Sequence, residues 1–96
     1  MARYIILLKF TEKGSSNIKE STGRAHAFDA LAEKLGVSVE GQYWTTGRYD
    51  GVLILTAEGE GKILHLLAEL ASLGNVRTEA MQAVTDEEFD AILKAT

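Results

Sequence analysis

Tyr4-Ile5-Ile6-Leu7-Leu8-Lys9-Phe10 and Val52-Leu53-Ile54-Leu55-Thr56 decide the fold. Both runs are short, dense in β-branched and bulky apolar residues, and flanked by polar or glycine-bearing segments, as strands are. Neither run alternates. Residues two apart share a strand face. The first run therefore turns Ile5 and Leu7 one way and Tyr4, Ile6, Leu8 and Phe10 the other, and the second opposes Leu53 and Leu55 to Val52 and Ile54. A strand that is apolar on both faces belongs in the middle of a sheet covered on both sides.

Two further segments do alternate and read as edge strands. In Val37 to Thr46, Val37, Val39 and Tyr43 oppose Ser38, Glu40 and Gln42, and Gly41 marks a bulge. Val76 to Val84 alternates likewise. A helix over Thr22 to Leu35, with Ser21 as its cap, gathers Ala25, Phe28, Leu31, Ala32 and Leu35 on one side and stops at Gly36. A second helix, opened by Glu58-Gly59-Glu60-Gly61, gathers Ile63, Leu66, Leu67, Leu70 and Leu73 and stops at Gly74. Thr11 to Ser21 is a polar loop with a helical turn near Asn17 to Glu20. Thr85-Asp86-Glu87-Glu88 is a capping box that starts a short tail helix, with Phe89, Ile92 and Leu93 facing inward. The order βαββαβ plus a tail helix specifies an α+β, ferredoxin-like fold with a four-stranded antiparallel sheet, a single domain over residues 1–96.

Composition narrows the function. The 96 residues carry 10 Lys plus Arg against 14 Asp plus Glu, a net charge of −4. That balance argues against nucleic acid as a partner, because phosphate contacts need clustered cations. With no Cys there are no disulfides, thiolate metal sites or Cys nucleophiles. The apolar run at Tyr4 to Leu8 is too short for a signal peptide, and nothing approaches the ~18 apolar residues of a membrane span. The expectation is a cytoplasmic protein with no membrane contact.

The pattern also bears on assembly. Two main helices cover one face of a four-stranded sheet. The other face would leave an apolar patch of roughly several hundred Å², which monomers rarely expose. A second copy stacked sheet against sheet, as an isologous homodimer or part of a higher oligomer, would cover it. The alternative is a monomer with its tail helix folded over the sheet.

The turn Gly47-Arg48-Tyr49-Asp50 is the sharpest local signature. Taken with Gly14, Asn17-Ile18-Lys19, Ser21 and Arg24 before it and Leu73-Gly74-Asn75-Val76-Arg77-Thr78 after it, the chain resembles the GYD family, small bacterial and archaeal proteins named for a Gly-x-Tyr-Asp turn. The resemblance covers nearly the whole chain. Relatives often carry Pro where this chain has Thr22, a difference that touches helix initiation more than chemistry. The resemblance implies a ferredoxin-like fold of the dimeric α/β-barrel type. Related barrels host cofactor-independent oxygenases, haem-handling enzymes and ligand-sensing modules, and fold alone does not choose among them.

Candidate residues follow from residue type and position. Asp50 in a tight turn either accepts backbone N–H bonds or serves as a base, and Tyr49 either anchors the hairpin tip or lines a pocket mouth. Asn17, Lys19, Ser21 and Arg24 surround a helix N-terminus, where an anion is received, or are ordinary caps and solvated charges. His26 and His65 lie on the two helices, each able to act as a general base or metal ligand but neither in a recognised metal motif, so no metal or other cofactor is expected; were a haem bound, His26 is the better candidate for its proximal ligand. Tyr43 and Trp44 must point to opposite faces, with Trp44 read first as an interface anchor. Arg77 and Glu79 share a face of the fourth strand, either in a cavity or as solvated edge charges. No compact catalytic constellation assembles. The expected function is a small oligomeric module that binds a small anionic or aromatic metabolite between sheet and helices, or serves as an assembly subunit. Lys19, Arg24, His26, Tyr49, Asp50 and Arg77 are its candidate ligand contacts. The rival is a cofactor-independent oxygenase or isomerase with His26 or Asp50 as base.

Overall fold

The structure is a computed structural model that describes residues 1–95. It contains β1 (Ala2–Phe10), α1 (Glu12–Ser16), a 3₁₀ turn (Ile18–Glu20), α2 (Ser21–Lys34), β2 (Ser38–Trp44), β3 (Gly51–Ala57), α3 (Glu60–Ser72), β4 (Val76–Gln82) and α4 (Asp86–Ala95). The sheet runs β2-β3-β1-β4, antiparallel throughout. The two unbroken apolar runs are its centre and the two alternating runs are its edges. That is the ferredoxin-like arrangement the sequence specifies.

The core lies between the sheet and α2 and α3. Ile6, Leu53 and Leu55 from the central strands meet Phe28 and Ala32 of α2 and Ile63, Leu66 and Leu67 of α3, all buried. Residues opposite one another in the ladder share a face, so the register assigns the other side: Ile5 pairs with Ile54 and Met81, and Leu7 with Val52 and Glu79. This second face carries Ile5, Leu7, Val52, Ile54, Tyr43 and Met81, and none of the six is buried. Gly36 and Gly74 close α2 and α3 with φ of 78° and 74°, the left-handed conformation that a Cβ disfavours.

β2 contains the expected bulge. Val39 pairs with Leu55 and Gly41 with Ile54, so Glu40 is the extra residue. The slip changes which side chains go together. Val39 faces the helices, but Tyr43, opposite Val52, faces away, so the expectation that they share a side is corrected.

Two helix starts differ from expectation. Ser21 is not the cap of α2: it already lies inside the helix, and Glu20 occupies the cap position without a side-chain bond. The 3₁₀ turn feeds straight into α2, leaving no extended residue to place a capping hydroxyl. The tail helix is also corrected. Its capping box is present, with the Glu88 N–H donating to Thr85 Oγ1 at 3.1 Å and the Thr85 N–H donating to Glu88 Oε1 at 2.7 Å. Yet no described residue of α4 is buried, and Phe89, Ile92 and Leu93 are 52%, 48% and 58% exposed rather than turned inward. The molecule measures 49 × 31 × 17 Å, thin enough for one sheet and one helical layer, and α4 does not lie in that helical layer's core.

Glu88 holds the base of α4. The Thr85 N–H and then the Arg3 guanidinium lower its pKa from 4.5 to about 2. A depressed carboxyl contributes stability above its unfolded pKa and loses it as pH falls through the folded one. The α4 amide and Phe89 ring resonances are therefore expected to stay fixed from pH 7 to 5 and to shift between pH 4.5 and about 2. Glu88→Ala removes that titration and frays the helix at neutral pH, and unchanged resonances in the variant would show that the cap does not hold α4.

Candidate functional site

Three separate turns meet at the C-terminal end of β1, and each is tied there by hydrogen bonds. The β2–β3 hairpin is fastened by Asp50, whose N–H donates to Leu8 O at 2.8 Å and whose Oδ2 accepts the Phe10 N–H at 2.8 Å. The segment after β1 is fastened to the turn after α3. The Thr11 N–H donates to Asn75 O at 3.0 Å, the Thr11 hydroxyl to Gly74 O at 2.6 Å, and Lys13 Nζ to Leu73 O at 2.8 Å. Gly14 is buried against Asn75. These three turns are the Gly-x-Tyr-Asp turn, the loop before α2 and the Leu73 to Thr78 segment.

A cleft of about 240 Å³ opens where they meet. Its walls are mostly apolar: Phe28 and Leu31 of α2, Leu70 of α3, Leu8 and Leu53 of the sheet, and Trp44 at the end of β2. Arg24 is the cation among the described lining residues, and Asp50 the acid. Arg24 Nη1 donates to Asn17 O at 2.8 Å, while its Nη2 is buried without a hydrogen-bond partner. Such a donor favours an acceptor brought close to it.

The six candidates do not form one site. Arg24 and Asp50 line the cleft. Tyr49 and Arg77 lie on the opposite side of the sheet, in a shallow depression with Leu7, Lys9, Arg48, Thr78 and Glu79. There the Tyr49 hydroxyl donates to the Glu79 carboxylate, a bond that raises the phenol's pKa, with desolvation adding to it. Lys19 and His26 are exposed and border neither cavity. The 3₁₀ turn that displaced the Ser21 cap also takes Lys19 away from the start of α2.

Trp44 is the residue the sequence misassigned. It lies opposite Gly51, on the helix side, and lines the cleft, while Tyr43, which also borders the cleft, lies opposite Val52 on the other face and is 60% exposed. Counting the bulge as one extra residue would have exchanged the two aromatics. Among the described residues no group of three or more His, Asp and Glu side chains is placed to hold a metal ion, and no helix is long and apolar enough to cross a membrane.

The GYD domain model matches residues 4–93. This chain belongs to the GYD family. A relative in Thermus thermophilus, named the glutamine synthetase and cystathionine beta-lyase binding protein, is 30% identical over 95 residues, which are 98% of this chain and 100% of the relative. Among solved structures, MtbAldR superposes with a TM-score of 0.62 at 14% identity, covering 88% of this chain and 52% of that one, so this chain spans about half its length. TTHA0845 from Thermus thermophilus superposes with a TM-score of 0.57 at 22% identity, covering 88% of this chain and 95% of that one. Both structural likenesses are likenesses of fold, the ferredoxin-like arrangement of a four-stranded antiparallel sheet with helices. What the GYD resemblance gained from sequence alone, three short segments in matching order, is physically one place in the molecule.

Proposed function

We propose that this GYD protein is a self-associating binding module rather than a catalyst. It pairs with a second copy through the open sheet face, and it holds a small, largely apolar molecule with one anionic group in the cleft at the end of β1. The carrying observation is the convergence of the three motif turns on an apolar cleft edged by Arg24. The apolar walls would bury the body of the ligand, and a carboxylate or similar group would meet the guanidinium. The Thermus relative, named for binding two enzymes, supports binding as the family's kind of task. An oxygenase or isomerase would need a free base on the cleft wall. Asp50 Oδ2 is committed to the Phe10 N–H, and His26 lies outside.

Trp44 is the single tryptophan and a cleft wall, so its fluorescence reports occupancy directly. Titration with a panel of aromatic and aliphatic carboxylates is expected to give a saturable change for at least one of them. Arg24→Gln should weaken that ligand about ten-fold, the effect of one charge-assisted hydrogen bond. If no carboxylate changes the emission or the melting temperature, the cleft is not a ligand site.

A further inference from the structure

We infer that α4 is an arm for a second copy of this chain: its apolar side seats on the open sheet face of the other copy, with its acidic first turn over that copy's basic end. The inference rests on the pairing proposed above and specifies its axis and its contacts.

The first observation is an apolar side held in place with no cover. Phe89 and Ile92 lie three apart on α4 and are about half exposed. The capping box and the ion pair between Arg3 and Glu88 fix the direction in which the helix leaves the sheet. A helix that is anchored at its base and bare along its apolar side is poised for a partner.

The second observation is the charge at the two ends of the open face. Lys9 and Arg77 sit opposite each other in the β1–β4 ladder, and Arg48 of the hairpin joins them around the same shallow depression. None of these three cations takes part in an ion pair among the described residues. At the other end, beside Arg3, α4 begins with Asp86, Glu87 and Glu88, of which only Glu88 is ion-paired. Glu79, which accepts the Tyr49 hydroxyl, shares that depression, so the face is net positive at the end of β1, three cations to one carboxylate, and acidic at its start.

A face-to-face pair can place its two-fold axis along the strands or across them. Along the strands, like ends meet, with acid over acid and base over base. Across the strands, each acidic α4 base lies over the other copy's Lys9, Arg48 and Arg77. Charge complementarity selects the second arrangement. The lengths agree: β1 from Arg3 to Lys9 covers about 20 Å, and a ten-residue helix covers about 15 Å, so the arm fits on the face it would cover. The isologous geometry makes the contact twice.

Two charge-reversal variants test this in the full chain. Lys9→Glu with Arg77→Glu inverts the basic end. Asp86→Lys with Glu87→Lys inverts the arm and leaves Thr85 and Glu88 to cap it. Each alone should raise the dissociation constant of the pair about ten-fold in analytical ultracentrifugation, because both contacts become repulsive. Mixed one to one, the two variants should pair as tightly as the parent, since each inverted arm then meets an inverted face. An arm folded on its own sheet gains nothing from mixing, so weakened variants that do not recover on mixing would overturn the inference. So would a parent pair indifferent to both changes, and in that case the pairing beneath it stands. A parent that stays single at all concentrations overturns the pairing as well. Circular dichroism checks that both variants fold, and Phe89→Ser, which keeps every charge, should also weaken the pair if the arm's apolar side is buried there.

Discussion

Ile54→Glu is expected to abolish the proposed pairing and leave single copies, with the dissociation constant raised at least about a hundred-fold. Ile54 occupies the middle of the open face, opposite Ile5 on β1 and beside the β2 bulge. A carboxylate there would be buried by the second copy without a free counter-charge, because Arg3, the near cation of this face, is already paired with Glu88 and the others stand at the far end. Leaving a buried charge unpaired costs about 3–5 kcal/mol, and about 2.7 kcal/mol is a hundred-fold in affinity. Within one copy the same side chain can reach water, so the circular dichroism spectrum should be unchanged. Light scattering decides the matter. A folded variant that keeps the parent's mass would show that copies meet somewhere other than this face.

Gly14→Ala is expected to lower the melting temperature by about 10 °C. A Cβ at this position would fall far inside van der Waals distance of the Asn75 carbonyl oxygen, and both sides of the clash are backbone, so neither can rotate away. The Asn75 carbonyl also accepts the Thr11 N–H at 3.0 Å, so retreat would break the bond that joins the segment after β1 to the turn after α3. Forced overpacking costs about 1–3 kcal/mol, and in a domain of this size each kcal/mol moves the midpoint by about 4–8 °C. Gly23→Ala is the control. It lies within α2 with nothing within 4 Å of its Cβ position, and alanine there should stabilise by about 0.5–1 kcal/mol. Equal melting temperatures for the two variants would show that the approach of Gly14 to Asn75 is slack. Because Asn75 lines the cleft, Gly14→Ala should also perturb Trp44 emission.

The architecture was readable because its determinants are local. Two unbroken apolar runs identify the central strands, two alternating runs identify the edges, and Gly36 and Gly74 mark the helix ends, all without knowledge of any contact. The site was readable in part. Asp50 and Arg24 were named from turn chemistry and helix position, and both line the cleft. Tyr49 falls in with them as the sequence neighbour of Asp50, and Arg77 because the sequence leaves open which way its face of the edge strand turns. A strand separates adjacent side chains across its two faces, and no single-residue property reveals which face a hairpin tip favours. His26, on the exposed side of α2, and Lys19 border neither cavity. A basic loop before a helix resembles an anion site only if the helix starts cleanly, and here a 3₁₀ turn runs into it. The orientation of α4 was beyond the sequence, since amphipathicity states that a helix needs cover and is silent on whose surface supplies it.

Glu40, the residue of β2 without an opposite number, governs more than local shape. Everything after it on the strand is read in the opposite phase, so one inserted residue puts the indole on the helix side of the sheet and the phenol on the open face. A relative lacking that insertion would exchange the two aromatics while keeping the same composition. The face that each aromatic of this edge takes is therefore set by parity along the backbone, and an alignment gap at this point would carry more meaning than a change of side chain.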